Sequence, residues 1–360
     1  MHSLKNIFLN KNCGCHPRRD FLKQLVGIST LSGGLSLNAF AQGKSKDSSL
    51  VIDTHHHFFP PLYQKAWKDW ATQRKISLVG DQGVWSVEKS LNVMDEAGVK
   101  KSILSLASTP GLWFDLPTPE IISLVRECND FGASMERNNP DRFGLFAALP
   151  MVDIESSLKE ISYALDTLKA DGIGLQTNYG DKWPGDPVFD EVFAELNRRK
   201  AIVYFHPLVA SCCSRLNVGT INPVLEVPHD TSRAVVSLLL NGTLAKYRDI
   251  KWLFSHGGGT IPMLAGRINF FHGNQTKAKE YAPQGIEAEF KRLYYDTANA
   301  THPSSMAALM KLVPSTQILY GSDYPYVPLN TQLKALDSLG LSSKVLSNIK
   351  YRNAQVLLVK

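Results

Sequence analysis

The chain has 360 residues, of which 44% are apolar, with a formal charge of +6 and five cysteines. That is ample material for one large α/β domain, and it excludes a disordered or collagen-like chain. Much of the charge lies in residues 1–41, where Lys5, Lys11, Arg18, Arg19 and Lys23 stand against Asp20; removing their net +4 leaves +2, too little to suggest nucleic-acid binding.

Residues 1–41 read as an address rather than as structure. His16-Pro17-Arg18-Arg19-Asp20-Phe21-Leu22-Lys23 resembles the twin-arginine export signal of bacteria. The mildly apolar stretch Leu25–Leu37 is too short and too polar to span a membrane. Ala39-Phe40-Ala41 sets small residues one apart before Gln42, the expected cleavage point. The mature protein is therefore expected to be periplasmic, exported already folded by the twin-arginine machinery. Residues 42–49 form a polar linker and 50–360 the working domain. Cys128, Cys212 and Cys213 are all that remain after the signal. They make neither a disulfide framework nor a CxxC zinc site.

From Leu50 onward, short apolar runs alternate with amphipathic ones. A strand is predicted at Leu50–Thr54, followed by an excursion, Pro60 to Ser86, carrying Tyr63, Trp67, Trp70 and Trp85. A helix at Val87–Ala97 leads to a strand at Lys101–Leu106, and a helix at Ile121–Arg137 to a strand at Phe143–Leu149. Next come helix Ile154–Lys169, strand Gly172–Gln176, helix Phe189–Arg199, strand Ala201–Phe205 and helix Thr231–Lys246. Strands at Ile250–Phe254, Leu293–Asp296 and Gln317–Tyr320 complete the set. Eight short strands separated by helices predict an α/β fold, a (β/α)8 TIM barrel with an insertion after the first strand. The aromatic excursion is a packed surface segment, a lid, or the contact of a homodimer.

The polar residues gather at the strand ends, where a barrel keeps its catalytic groups. The first strand runs into His55-His56-His57; alternation turns His55 and His57 to one side and His56 to the other. The fifth ends in His206-Pro207, the sixth in Ser255-His256-Gly257-Gly258-Gly259, and the eighth in Gly321-Ser322-Asp323-Tyr324-Pro325. Histidines ending three strands and an aspartate ending a fourth form the kind of set that binds a borderline-soft cation with a position left open.

On these residues the chain resembles the metal-dependent amidohydrolase superfamily. It is similar to the branch with aminocarboxymuconate-semialdehyde decarboxylase and the aromatic acid decarboxylases, over about residues 50 to 358. Asp53, His55 and His57 match an Asp-x-His-x-His element, His206 the histidine after strand five, Ser255 to Gly258 a Ser-His-Gly-Gly element, and Gly321 to Pro325 a Gly-Ser-Asp-x-Pro element. The resemblance implies one divalent ion, zinc or manganese, on His55, His57, His206 and Asp323. His256 would then be a proton-transfer or hydrogen-bonding group. Strand four ends Gly174-Leu175-Gln176 without the lysine that bridges two metals in many superfamily members, which favours one ion.

The chemistry expected is decarboxylation of a small aromatic or unsaturated carboxylic acid such as a hydroxybenzoate, with Asp323 delivering the proton. Hydrolysis of a lactone or amide is the alternative, with Asp323 as base. Arg233 is the candidate for holding the substrate carboxylate, because a planar guanidinium binds it bidentately. Phe58, Phe59, Trp113 and Tyr179 are candidates for a ring-shaped pocket. The adjacent Cys212 and Cys213 are expected to be packing or part of an inert loop, since vicinal cysteines form strained disulfides.

Overall fold

Strands buried on both faces carry near-continuous apolar runs rather than strict alternation. In the computed structural model the eight runs of this kind become eight parallel strands. They are β1 (Ile52–His57), β2 (Lys101–Ser105), β3 (Phe143–Ala148), β4 (Gly172–Gln176), β5 (Ile202–His206), β6 (Lys251–Phe254), β7 (Tyr294–Asp296) and β8 (Ile318–Leu319). The structure describes residues 50–75, 84–108, 116–215 and 218–359, all within the unit Ser45–Lys360. The export signal and linker expected over 1–49, and the aromatic candidate Trp113, lie outside the described residues.

The strands pair in sequence order from β1 to β8. Backbone bonds from Thr54 N to Tyr320 O (2.9 Å), Asp323 N to His55 O (2.9 Å) and His57 N to Tyr324 O (2.8 Å) bring the last strand back to the first. The fold is thus the expected (β/α)8 barrel. Along β5 the side chains divide as the pleat requires. Ile202 and Tyr204 join Ile52, Ile103, Phe146 and Leu253 inside the barrel, while Val203 and Phe205 face the helices. The Phe205 ring stacks on Phe254 at 5.0 Å on that outer layer. The closing helix Asn353–Leu357 caps the other end of the barrel, with Asn353 Nδ2 donating to the carbonyls of Ser315 and Ile318, both at 2.7 Å.

Two expectations need adjusting. The strand expected at Leu50–Thr54 instead runs through all three histidines, because β1 carries its pairing with β2 as far as His57↔Ser105. The helix expected at Thr231–Lys246 begins earlier, at Asn222, and ends at Leu240, with a separate turn at Thr243–Lys246. Pro228 reads as a break in sequence but sits inside this helix, and Gly242 at φ 76° makes the real interruption. The described part of the excursion after β1 forms the helix Pro61–Gln73. Its aromatic residues pack on the chain's own barrel: Phe59 lies 6.5 Å from the rings of both Trp67 and Trp85, and Trp85 meets Phe131 at 6.4 Å.

The turn after β6 shows where backbone space is most constrained. A Cβ on Gly259 would lie 2.0 Å from the carbonyl oxygen of Pro228, and its φ of +64° already disfavours a side chain. Gly266, in the helix Ile261–His272, has nothing within 4 Å of its Cβ position among the described residues. Gly259→Ala is expected to cost about 2–4 kcal/mol of stability. Gly266→Ala should add roughly 0.5–1 kcal/mol. Urea unfolding of the two variants checks both signs.

Candidate metal centre

The pleat of β1 puts His55 and His57 side by side. Their Nε2 atoms lie 3.1 Å apart, and each approaches the same oxygen, Asp323 Oδ1, at 3.1 and 3.2 Å. The partners of the other ring nitrogens settle the tautomers. His57 Nδ1 faces the carbonyl of Ser105 at 3.1 Å, and His55 Nδ1 faces the carboxylate of Asp296 at 2.9 Å; both acceptors require N–H on Nδ1. That leaves both Nε2 atoms pointing at one carboxylate oxygen, a contact that needs a proton or a metal cation between them. His206 ends β5 beside His57, with ring centroids 4.5 Å apart. Its buried Nδ1 has no hydrogen-bond partner among the described residues. Such an orphaned nitrogen is costly unless something electropositive meets it.

His256 comes within the same reach. Ligand atoms of His55, His206, His256 and Asp323 all lie within 4.8 Å of one another. His57 is not in that group, although its Nε2 lies closer to His55 and Asp323, at 3.1 and 3.2 Å. The N–H at Nδ1 of His256 donates to Ala298 O at 3.0 Å, leaving Nε2 as its acceptor. The charge balance also asks for a cation. Burial pushes His206 well below its usual range, with His57 and His55 adding to the effect, and burial lowers His57 as well. Burial would lower His55 too, but the carboxylates of Asp296 and Asp323 outweigh it and hold that ring up at about 10. Burial alone would raise Asp323, yet its histidine neighbours keep it well below the usual carboxylate range. A divalent ion such as zinc or manganese would take the place of the proton that His55 otherwise carries, and the set is then neutral imidazole nitrogens around an ionised carboxylate, the donors such an ion prefers.

His56 points the other way, as alternation requires. It is buried, with Nδ1 3.1 Å from Asp53 Oδ2 and Nε2 2.7 Å from Ser90 Oγ. Three supporting residues escaped sequence reasoning. Asp296, at the end of β7, accepts from His55 Nδ1 through Oδ2; through Oδ1 it accepts from the backbone N–H of His256 and of Ala298, both at 3.0 Å. Asn299 donates to Asp323 Oδ2 at 2.7 Å and is itself held by Gln332 at 3.0 Å. Asp230 accepts from Thr177 and Asn178, both at 2.6 Å, and Thr177 Oγ1 accepts from Leu208 N, which anchors the loop after His206. Asp296 offered a signal, since it too ends a strand. The other two lie on a loop and a helix, where spacing says nothing.

The centre opens into a cavity of about 940 Å³ whose walls include His206, His256, Asn299 and Asp323. Asp323, His256 and Asn299 all have left-handed backbones, with φ of 65°, 54° and 52°. Strained conformations of this kind persist where surrounding structure over-determines them, often at functional sites.

Arg233 does not join these residues and is not among those lining the cavity. Its guanidinium donates to Asp230 Oδ1 at 3.3 Å. The helix Asn222–Leu240 turns Val224, Val227 and Pro228 to the cavity, and Arg233, nine positions after Val224, lies about half a turn round the axis from it. Nor do Phe58, Phe59 or Tyr179 line the cavity: the two phenylalanines are core, and Tyr179 packs on Phe189 at 5.3 Å. Cys212 and Cys213 are both free. Burial and the neighbouring Glu226 push the Cys213 thiol up to about 12.

A family model of amidohydrolases matches residues 52–358. The chain belongs to the amidohydrolase family. It is 36% identical over 299 residues to a protein named decarboxylase macB from Penicillium terrestre, covering 78% of this chain and 85% of that one. It is 31% identical over 280 residues to a 6-methylsalicylic acid decarboxylase from Penicillium expansum, covering 77% and 85%. Among solved structures, the 5-carboxyvanillate decarboxylase of Novosphingobium aromaticivorans, in complex with manganese and 4-hydroxy-3-methoxy-5-nitrobenzoic acid, shares the fold. Its TM-score is 0.77 over 87% of this chain and 97% of that one, at 19% identity.

Asp296→Asn should weaken metal binding by about 10- to 100-fold, because the His55 ring loses the charge that orients it. His57→Ala should abolish stoichiometric binding and His56→Ala should largely keep it. Competition with a chromogenic chelator measures all three, and equal losses in His56→Ala and His57→Ala would contradict the strand geometry.

Proposed function

We propose that the protein is a divalent-metal-dependent decarboxylase of a small hydroxylated aromatic carboxylic acid. The observation that supports this reading is the clustering of His55, His57, His206 and Asp323, with His256 beside them, at the strand ends of an amidohydrolase barrel, where His206, His256 and Asp323 line one cavity. Family membership, with relatives at 31% and 36% identity named decarboxylases, makes the chain an enzyme of the carboxy-lyase type. The substrate is the proposed part.

His55, His57, His206 and Asp323 would hold one zinc or manganese ion. Gln176 ends β4 in register with His206, and its neutral amide cannot bridge two cations as a charged group would. The carboxylates facing the cluster are those of Asp296 and Asp323, whose two charges one divalent ion balances. When bound, the ion supplies a Lewis acid that neutralises and aims a carboxylate and an adjacent hydroxyl.

The chain's own groups supply the proton. Asp323 is ionised at rest, so it takes a proton from the substrate's phenolic hydroxyl before delivering it. The bond from ring carbon to carboxylate then breaks, carbon dioxide leaves, and the electron pair stays on the ring carbon, which takes the proton from Asp323. Asn299, bonded to Oδ2, fixes the carboxyl plane during both transfers. His256, its ring held by Ala298, turns Nε2 to accept from the water that later restores the phenolate's proton. Water restores the proton to the product phenolate. The alternative, hydrolysis of a lactone or amide, would use the same residues with Asp323 as base.

Turnover in heavy water should place one deuterium on the carbon that lost its carboxylate. Asp323→Asn, loaded with metal, should lose about 100- to 10,000-fold in kcat. Ring opening without carbon dioxide release would transfer the assignment to a hydrolase.

We also propose that residues 1–41 direct export to the periplasm, supported by Arg18-Arg19 and by Ala39-Phe40-Ala41. Replacing both arginines with lysine should hold the protein in the bacterial cytoplasm. Immunoblots of cell fractions, with N-terminal sequencing of any mature form, check this.

A further inference from the structure

We infer that the cavity selects hydroxybenzoates bearing a single carboxylate and an apolar substituent longer than a methyl group, which runs from the polar floor to the rim. The inference rests on the carboxy-lyase reading and narrows its substrate class. The volume of about 940 Å³ is the first observation. It sits at the top of the roughly 300–1,000 Å³ range that holds drug-sized ligands, far more than a bare benzoate fills.

The second observation is the apolar share of the wall, which also carries the polar Asn222, Thr260, Asn299 and Ser305. The polar groups His206, His256 and Asp323 lie together at the strand ends. Leu208 and Ala300, buried, and Val227 and Val327, half-buried, belong to the same wall. At the rim stand Ile221, Val224 and Met263, with 70%, 57% and 76% of their surface exposed. Three large apolar side chains held in water around a cavity mouth give an alkyl chain a continuous surface from floor to rim.

The third observation is what the wall lacks. No lysine or arginine lines the cavity among the described residues. The undescribed stretches 76–83, 109–115 and 216–217 contain none in sequence. Arg233 is paired with Asp230 on the far side of its helix. The cation of the metal centre can meet one carboxylate, but a second would be carried into an apolar wall unpaired, at a cost that rejects it.

The test uses the metal-loaded protein and two matched series. One is a set of 2-hydroxybenzoates with methyl, propyl or pentyl at position 6, plus a 2-hydroxybenzoate with a second carboxylate on the ring. The other is the corresponding 2-nitrophenols, which keep the shape and cannot decarboxylate. Calorimetric Kd values of the nitrophenols should fall by up to about fourfold per added methylene. The kcat/KM of the acids should rise in parallel, and the dicarboxylate should bind at least about 100-fold more weakly than its one-carboxylate counterpart. The triple variant Ile221→Ser, Val224→Ser, Met263→Ser should flatten the chain-length series. A flat series in the natural chain, or a dicarboxylate bound equally well, overturns the inference even while carbon dioxide is being released. Failure of every acid to release carbon dioxide counts against the carboxy-lyase reading instead, and the nitrophenol series still reports on the cavity by itself.

Discussion

One buried carboxylate ties the two ends of the barrel together. Asp53 Oδ1 accepts from the backbone N–H groups of His55 and Ser322, at 3.1 and 3.0 Å, and Oδ2 takes the Ser322 hydroxyl at 2.6 Å and His56 Nδ1 at 3.1 Å. A charge withdrawn from water is tolerable only when its lone pairs are met in this way. The consequence reaches beyond closure. His55 and His57 come from β1, and Asp323 follows β8, so the distance between these groups is set by how tightly the last strand returns to the first. Asp53 stands at that junction, and the 3.1 and 3.2 Å contacts to Asp323 follow from it.

A second layer of restraint surrounds the first. Asp296 spends one oxygen on His55 and the other on the backbone of His256 and Ala298, so one side chain sets the tautomer of one histidine and the position of another. Ala298 in turn accepts from His256 Nδ1. Asp323, His256 and Asn299 share left-handed backbones and also share these bonds, which is how three unfavourable conformations are kept within one small region. The centre is rigid because each donor has a fixed second partner, apart from His206, whose Nδ1 is left for a cation.

How much of this was legible in sequence follows from which physical rule governs each residue. The strands were legible because parallel strands buried on both faces leave apolar runs, and β4 and the helix Val87–Ala97 coincide with their expected limits. The placing of His55, His57, His206, His256 and Asp323 was legible because a barrel presents its strand ends on one side, and the orientation of His56 followed from a period of two. Asp53 was visible as part of a motif, but its role in closing the barrel depends on Ser322, 269 positions away, which spacing cannot reveal. Arg233 was misplaced for a related reason. That it lies in a helix was correct, but the helix was taken to start nine residues late, which put Arg233 in the first turn when it lies well inside, and nothing in the sequence says which face turns inward. Asn299 acts through a tertiary contact alone.

The division between legible and hidden residues also separates reaction from substrate. Groups that hold a cation and move a proton must converge to within a few ångströms, so they sit on strand ends, where the backbone is most constrained, and leave recognisable patterns. The groups that judge the rest of the substrate need only supply a surface of suitable size and polarity. Leu208, Ile221, Val224 and Met263 come from the loop after β5 and from the first turns of two helices, and many apolar residues would serve in their place. A wall of this kind leaves no motif. Its meaning lies in what it omits: with no fixed positive side chain among its described residues, the metal centre must meet the whole negative charge of the substrate, and selection beyond that charge passes to apolar shape.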